Sequence, residues 1–331
     1  MAAYRWACWV IFVCGCAATC FGQATPTSST PAELRLLSSN SDLPPGETIR
    51  KDVDEVNLVF SARGRSGRFV NDLQLEQIDL RDDHLPPASI SHFETQTDLP
   101  LRIAVVIDTS DSVEDRFGFE KASAIAFLRH TLRPGVDRAF VIGFNQRAQV
   151  AQDWTDDIRQ LERSLLALRD GGETAFYDAV VFASRKLADA QQHSVRRVMI
   201  VISDGEDNKS TAGLQTAIEA VLRSEAVAYT LRTSEVPLMR CKELSRCDAS
   251  SAGDEAMYRL ADATGGRLLS AGSETQLATA FRAIQQELRS QYLMAYKPAD
   301  FRADGRYRSI ELKSRQRHGL KLAARRGYYS R

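Results

Sequence analysis

The sequence predicts an α/β fold: a doubly wound, mostly parallel sheet with a small flanking β module built from the N- and C-terminal segments. Three observations predict it. Ile103–Asp108 (IAVVID) and Arg196–Ser203 (RRVMIVIS) are near-continuous apolar runs, as expected for strands buried on both faces of a parallel sheet. Around them, such runs alternate with stretches of helical apolar spacing. The segments outside this array show the period-two alternation of half-buried strands instead.

The elements follow in order. Arg5, the apolar run Ala7–Phe21 and the small residues before Ala24 read as a secretory signal peptide over 1–24. A membrane anchor would need about 20 apolar residues, more than this run offers. The cysteines within it match a lipoprotein signal poorly, which leaves lipidation as the lesser variant. Residues 25–48, rich in Ser, Thr, Pro and Asp, read as a linker. A β module is expected over 49–100, with strands at Val56–Gly64 and Arg68–Asp83 broken by Gly64, Gly67 and Pro86-Pro87.

The α/β domain is expected over 101–290. After the first buried strand come a helix at Phe119–Leu132, a strand at Arg138–Phe144 and an edge strand at Ala148–Trp154. Amphipathic helices stand on either side of Gly171-Gly172, and the second buried strand follows. A helix at Leu214–Ser224, a strand at Ala226–Leu231, a helix at Asp254–Thr264, a short strand at Arg267–Ser270 and a helix at Thr275–Arg289 complete the array. Residues 291–331 return to β character, with a turn at Ala299–Gly305.

Composition narrows the function. Lys plus Arg equals Asp plus Glu, 43 each in 331 residues, so no overall field draws the chain to nucleic acid or an acidic membrane. Of 6 cysteines, only Cys241 and Cys247 lie beyond the signal segment. In an oxidising compartment these two, close together in a polar loop, are expected to form a disulfide. Zinc would need further ligands, and the His residues are scattered without the spacing it requires.

In such a fold the ligand site lies beyond the carboxyl ends of the strands, where strand order reverses. The first buried strand ends in Asp108-Thr109-Ser110-Asp111-Ser112 and the second in Ser203-Asp204-Gly205-Glu206-Asp207-Asn208, while Gly171-Gly172-Glu173-Thr174 turns into a helix between them. Taken singly, each piece is a common cap or turn. Together they place two carboxylates and three hydroxyls on one sheet edge. Oxygen donors of that kind suit a hard cation, Mg²⁺ first, with Mn²⁺ or Ca²⁺ as substitutes.

The Asp-x-Ser-x-Ser run, the Thr of GGETAFYDA and the Asp of SDGEDN resemble the three loops of a von Willebrand factor type A domain. The resemblance covers about Leu101–Arg289. It implies a metal-ion-dependent adhesion site, with Ser110, Ser112 and Thr174 as hydroxyl ligands and Asp108 and Asp204 binding directly or through water. The β module and the ending QYLMAYKP…GYY are similar to the exported VWFA-related proteins of acidobacteria.

A cation held mainly by neutral hydroxyls keeps unneutralised charge and a coordination position for water. The expected partner is therefore a protein that offers an Asp or Glu carboxylate. The family commonly has Gly where Asp111 stands. Where they face the site, Asp111, Glu173, Glu206 and Asp207 would make an acidic rim that favours Ca²⁺ or opposes an acidic partner.

The segment Arg232–Gly253, with both cysteines, should emerge on the same edge and is long for a strand-to-helix connection. It reads as a partner-selecting loop or a stapled insertion. By analogy with integrin-type relatives, the last helix would shift with affinity.

No enzyme is expected. The chain lacks a Gly-x-Ser-x-Gly elbow, a P-loop and a dinucleotide fingerprint, and Ser110 stands where a haloacid-dehalogenase nucleophile motif needs a second Asp. The expectation is an exported adhesion protein, secreted or periplasmic. The alternative is an envelope scaffold that uses the fold without regulated metal binding.

Overall fold

The computed structural model describes residues 55–96, 99–189, 195–234, 252–315 and 319–330. It begins with β1 (Val56–Arg63), a 3₁₀ turn at Leu75–Gln77, β2 (Ile78–Asp82) and β3 (Ser89–Gln96). The α/β array follows: β4 (Leu101–Asp108), α1 (Glu114–Thr131), β5 (Arg138–Phe144), β6 (Ala148–Thr155), α2 (Ile158–Ala167), α3 (Phe176–Ala188) and β7 (Arg196–Ser203). It continues through α4 (Leu214–Arg223), β8 (Val227–Arg232), α5 (Ala252–Thr264), β9 (Leu268–Ser270) and α6 (Glu274–Leu288). The tail forms β10 (Gln291–Lys297), β11 (Tyr307–Ser314), β12 (Lys321–Ala324) and β13 (Gly327–Tyr329). The expected signal segment and linker lie outside the described residues, as do Cys241, Cys247 and most of the loop that carries them.

The main sheet runs β6-β5-β4-β7-β8-β9, parallel throughout except for the antiparallel edge strand β6. The sheet is mostly parallel because its connections are helical crossovers, which cover both faces. All of β4 is buried. Ile103, Val105 and Ile107 pack with α1, α2 and α6, while Ala104 and Val106 pack with α3, α4 and α5. From β4 the chain goes outward to β5 and β6, then crosses back to β7 on the other side of β4. That reversal puts the carboxyl ends of β4 and β7 at the switch point where open α/β sheets bind their ligands.

The flanking strands form two small antiparallel sheets, β12-β1-β10-β3 and β13-β11-β2. Each mixes strands from before and after the α/β array. Phe60, Phe93 and Tyr292 stack in their core, and Asp82 accepts hydrogen bonds from Tyr296, Tyr328 and Arg308. The last helix is tied to this region through buried Glu287, which accepts from Ser61 at 2.9 Å and faces Arg267 at 2.9 Å.

Three local readings need correction. The strand expected over Arg68–Asp83 is regular only at Ile78–Asp82; before it, the Tyr292 hydroxyl clamps the Val70 carbonyl and the Leu73 N–H into an irregular path. The strand β3, which pairs with β10, was not separately predicted. Helix α1 starts at Glu114 rather than Phe119, because its first three residues, Glu114-Asp115-Arg116, are charged and show no apolar period.

Candidate functional site

Asp108 ends β4 fully buried. Its Oδ1 accepts the Ser110 N–H at 2.9 Å, and its Oδ2 accepts the Ser203 hydroxyl at 2.6 Å. Ser203 in turn accepts the Gly205 N–H at 2.9 Å, so one hydroxyl joins the two strand ends. Above this lies a chain of side chains. The Ser110 and Ser112 hydroxyls are 3.1 Å apart, and the Ser112 hydroxyl donates to Asp204 Oδ2 at 2.8 Å. Asp204 Oδ1 accepts the Glu206 N–H at 3.2 Å.

The loops are laced together by their backbones. Asp111 and Gly172 exchange hydrogen bonds: Asp111 N–H to the Gly172 carbonyl at 3.0 Å, and Gly172 N–H to Asp111 Oδ1 at 2.9 Å. Gly171 N–H donates to the Thr109 carbonyl at 2.7 Å. Thr174 donates its N–H to Asn208 Oδ1 at 3.0 Å, while its carbonyl accepts from the N–H groups of Asn208 and Lys209. The turn needs its glycines, since φ is +137° at Gly171 and +96° at Gly172. Gly205 is equally constrained, with φ of +82° and room for a Cβ only 2.6 Å from the Gly253 carbonyl oxygen.

All five sequence-predicted residues therefore stand at one sheet edge, Asp108 at the end of β4 and the others on the loops joined there. Asp108, Ser110, Ser112 and Asp204 form one hydrogen-bonded set through Ser203 and the serine hydroxyls. Thr174 joins through its backbone. Its side chain is buried and its hydroxyl makes no hydrogen bond among the described residues.

Sequence reading missed the deeper partners. Arg116, in the first turn of α1, donates to Asp204 Oδ2 at 3.0 Å, and its Nε lies 3.4 Å from Glu120 Oε1. Glu120 is fully buried, and neither of its oxygens has a hydrogen bond of normal geometry among the described residues. Burial raises Glu120 to about 8 against the opposing pull of Arg116, with Asp108 and Asp204 adding to the rise. Burial likewise raises Asp108 to about 6, offset in part by its bonds from Ser203 and Ser110. Spacing held one signal for this pair, Arg116 and Glu120 at i, i+4 on a single helix face.

The acidic rim is mostly committed to other bonds. Asp111 Oδ1 holds Gly172, and Glu173 pairs with Lys209 at 2.8 Å. Asp207 caps α3 by accepting the Phe176 N–H at 2.8 Å. Glu206 remains exposed.

Among the described residues no three His, Cys, Asp or Glu side chains cluster as a metal site, so a cation at this edge would have to draw on hydroxyls. The donors present fit that demand: two carboxylates, two adjacent serine hydroxyls and the Thr174 hydroxyl. They suit a small hard ion.

The architecture is thus an α/β domain with an oxygen-donor site at its topological switch point. Residues 103–206 match the von Willebrand factor type A domain family. No curated protein matches the chain. Among solved structures, it is similar to the conserved hypothetical protein BatB of Bacteroides thetaiotaomicron at 18% identity, covering 57% of this chain and 100% of that one, with a TM-score of 0.44. A von Willebrand factor type A protein of Catenulispora acidiphila is 15% identical over 77% of this chain and 75% of its own, with a TM-score of 0.47. The PilB minor pilin of Streptococcus sanguinis is 12% identical over 59% and 62%, with a TM-score of 0.45. These likenesses concern the fold alone.

Proposed function

We propose that the protein is an exported, non-catalytic binding protein that engages a partner protein through a divalent cation, Mg²⁺ first, held by Ser110, Ser112, Thr174, Asp108 and Asp204. The observation that carries this reading is the run Ser110 Oγ–Ser112 Oγ–Asp204 Oδ2 along the switch-point edge, beside the buried Asp108. A cation bound there would offer an open coordination position to an Asp or Glu carboxylate of the partner. The residues of the chain do the positioning. Ser203 orients Asp108, Asn208 anchors Thr174, and the Asp111–Gly172 exchange holds the serine loop against the glycine turn. The signal-like segment 1–24 supports a secreted or periplasmic location. Among the described residues no helix is long and apolar enough to cross a membrane.

One observation favours the scaffold alternative: Arg116 already satisfies Asp204 without a metal. Calorimetric titration with Mg²⁺, Mn²⁺ and Ca²⁺ separates the two. Saturable binding by the wild type that is lost in Asp108→Ala supports adhesion. No binding by the wild type favours the scaffold. A pull-down from the envelope with and without EDTA then tests whether partner capture depends on the metal.

A further inference from the structure

Arg116 occupies a position that helix energetics disfavour. It stands in the first turn of α1, where the macrodipole repels positive charge, beside the favourable Glu114 and Asp115. Its guanidinium does not reach for solvent. The side chain is only 17% exposed and lies between two acidic side chains, Asp204 at 3.0 Å and the fully buried Glu120 at 3.4 Å. Asp204 Oδ2 takes hydrogen bonds from both Arg116 and Ser112, so the carboxylate expected to face a metal is already engaged. No other described cation is paired with Asp204 or Glu120.

We propose that Arg116 is a built-in counter-cation, which competes with a divalent metal for Asp204 and thereby sets the metal affinity of the site. This rests on the metal-binding reading above. The guanidinium neutralises Asp204 when metal is scarce and holds Ser112 Oγ turned toward that carboxylate. To free Asp204 it need only swing toward Glu120, which its Nε already faces. Glu120 is the second berth, a hydrogen-bond acceptor for a guanidinium that leaves Asp204 but stays mostly buried. The site is therefore tuned to respond to divalent ion concentration rather than to hold an ion permanently.

The test is Mn²⁺ titration of the full mature chain, followed by the electron paramagnetic resonance of free Mn²⁺ and by calorimetry. Arg116→Gln keeps a hydrogen-bonding side chain but removes the charge, and should bind Mn²⁺ about tenfold or more tightly than wild type. Arg116→Lys keeps a charge without the planar fork that spans both acidic side chains. It guards against a folding defect in the first variant and should bind with intermediate affinity. A merely structural role for Arg116 predicts the reverse, weaker binding in Arg116→Gln with recovery in Arg116→Lys. Equal or weaker binding by both variants, with wild-type binding intact, overturns the competition and leaves the metal site standing. Absence of binding in all three proteins overturns both. Binding by Arg116→Gln alone supports the competition and shows a wild-type site held shut by its own arginine.

Discussion

The Ser203 hydroxyl donates to the buried Asp108 carboxylate across 2.6 Å, joining the ends of the two central strands. Removing it leaves Asp108 with fewer donors at full burial, and also strips the Gly205 N–H of its acceptor. Ser203→Ala is expected to cost about 1–3 kcal/mol in chemical denaturation. It should also move the onset of metal binding to higher pH, read from titrations between pH 5 and 8, because the carboxylate becomes harder to ionise.

Glu120 gives the metal-free protein a pH dependence of definite sign. Its folded-state value of about 8 exceeds the ordinary 4.5, so between these values the folded chain holds a proton that the unfolded chain has released. Stability must fall as pH rises through that window. Asp108 adds a fall in the same direction between 3.8 and about 6. Thermal melting from pH 4.5 to 8.5 in EDTA should show the decline, and Glu120→Gln should remove its upper part.

Gly205 bridges Asp204 and the acidic turn with φ of +82°, and a Cβ there would meet the Gly253 carbonyl and Met257 Sδ at 2.6 Å. Gly205→Ala is expected to destabilise the fold by about 2–4 kcal/mol, from backbone strain and overpacking together. Denaturation midpoints check the stability, and a parallel loss of metal binding would show that Asp204 moves with the turn.

Glu287 ties α6 to β1 and to the strand lead at Arg267. Glu287→Ala leaves Arg267 in a mostly buried place without its partner, at an expected cost of about 2–4 kcal/mol. If α6 also governs the loops at the switch point, by the integrin analogy, Mn²⁺ affinity will change with the same substitution. An unchanged affinity would make the helix a structural member only.

What could be read from the chain depended on how each residue is used. The strands β4 and β7 were legible because nearly every position is buried, leaving an apolar run with little else to mean. Asp108, Ser110, Ser112 and Asp204 were legible because short polar runs directly end those strands. Arg116 and Glu120 were not, because a polar helix turn ordinarily faces water; their partner Asp204 lies 88 residues beyond Arg116. Strand β3 hid because its sequence mixes polar and apolar residues and its pairing partner β10 follows about 200 residues later in the chain, a register no local pattern records. The acidic rim misled for a related reason. Asp111 and Asp207 spend their carboxylates on backbone N–H groups of a neighbouring loop and helix, which charge counting does not register.

The antiparallel pairing of β3 with β10 brings Gln96 opposite Gln291, so the whole α/β array is inserted between two adjacent strands of one sheet. Once the outer strands have given way, tension reaches this pair at its far end, where Ser89 lies opposite Lys297. The strands must unzip rung by rung before tension enters the inserted domain. The carboxyl ends of β4 and β7 would thus stay mechanically slack until the clasp opens.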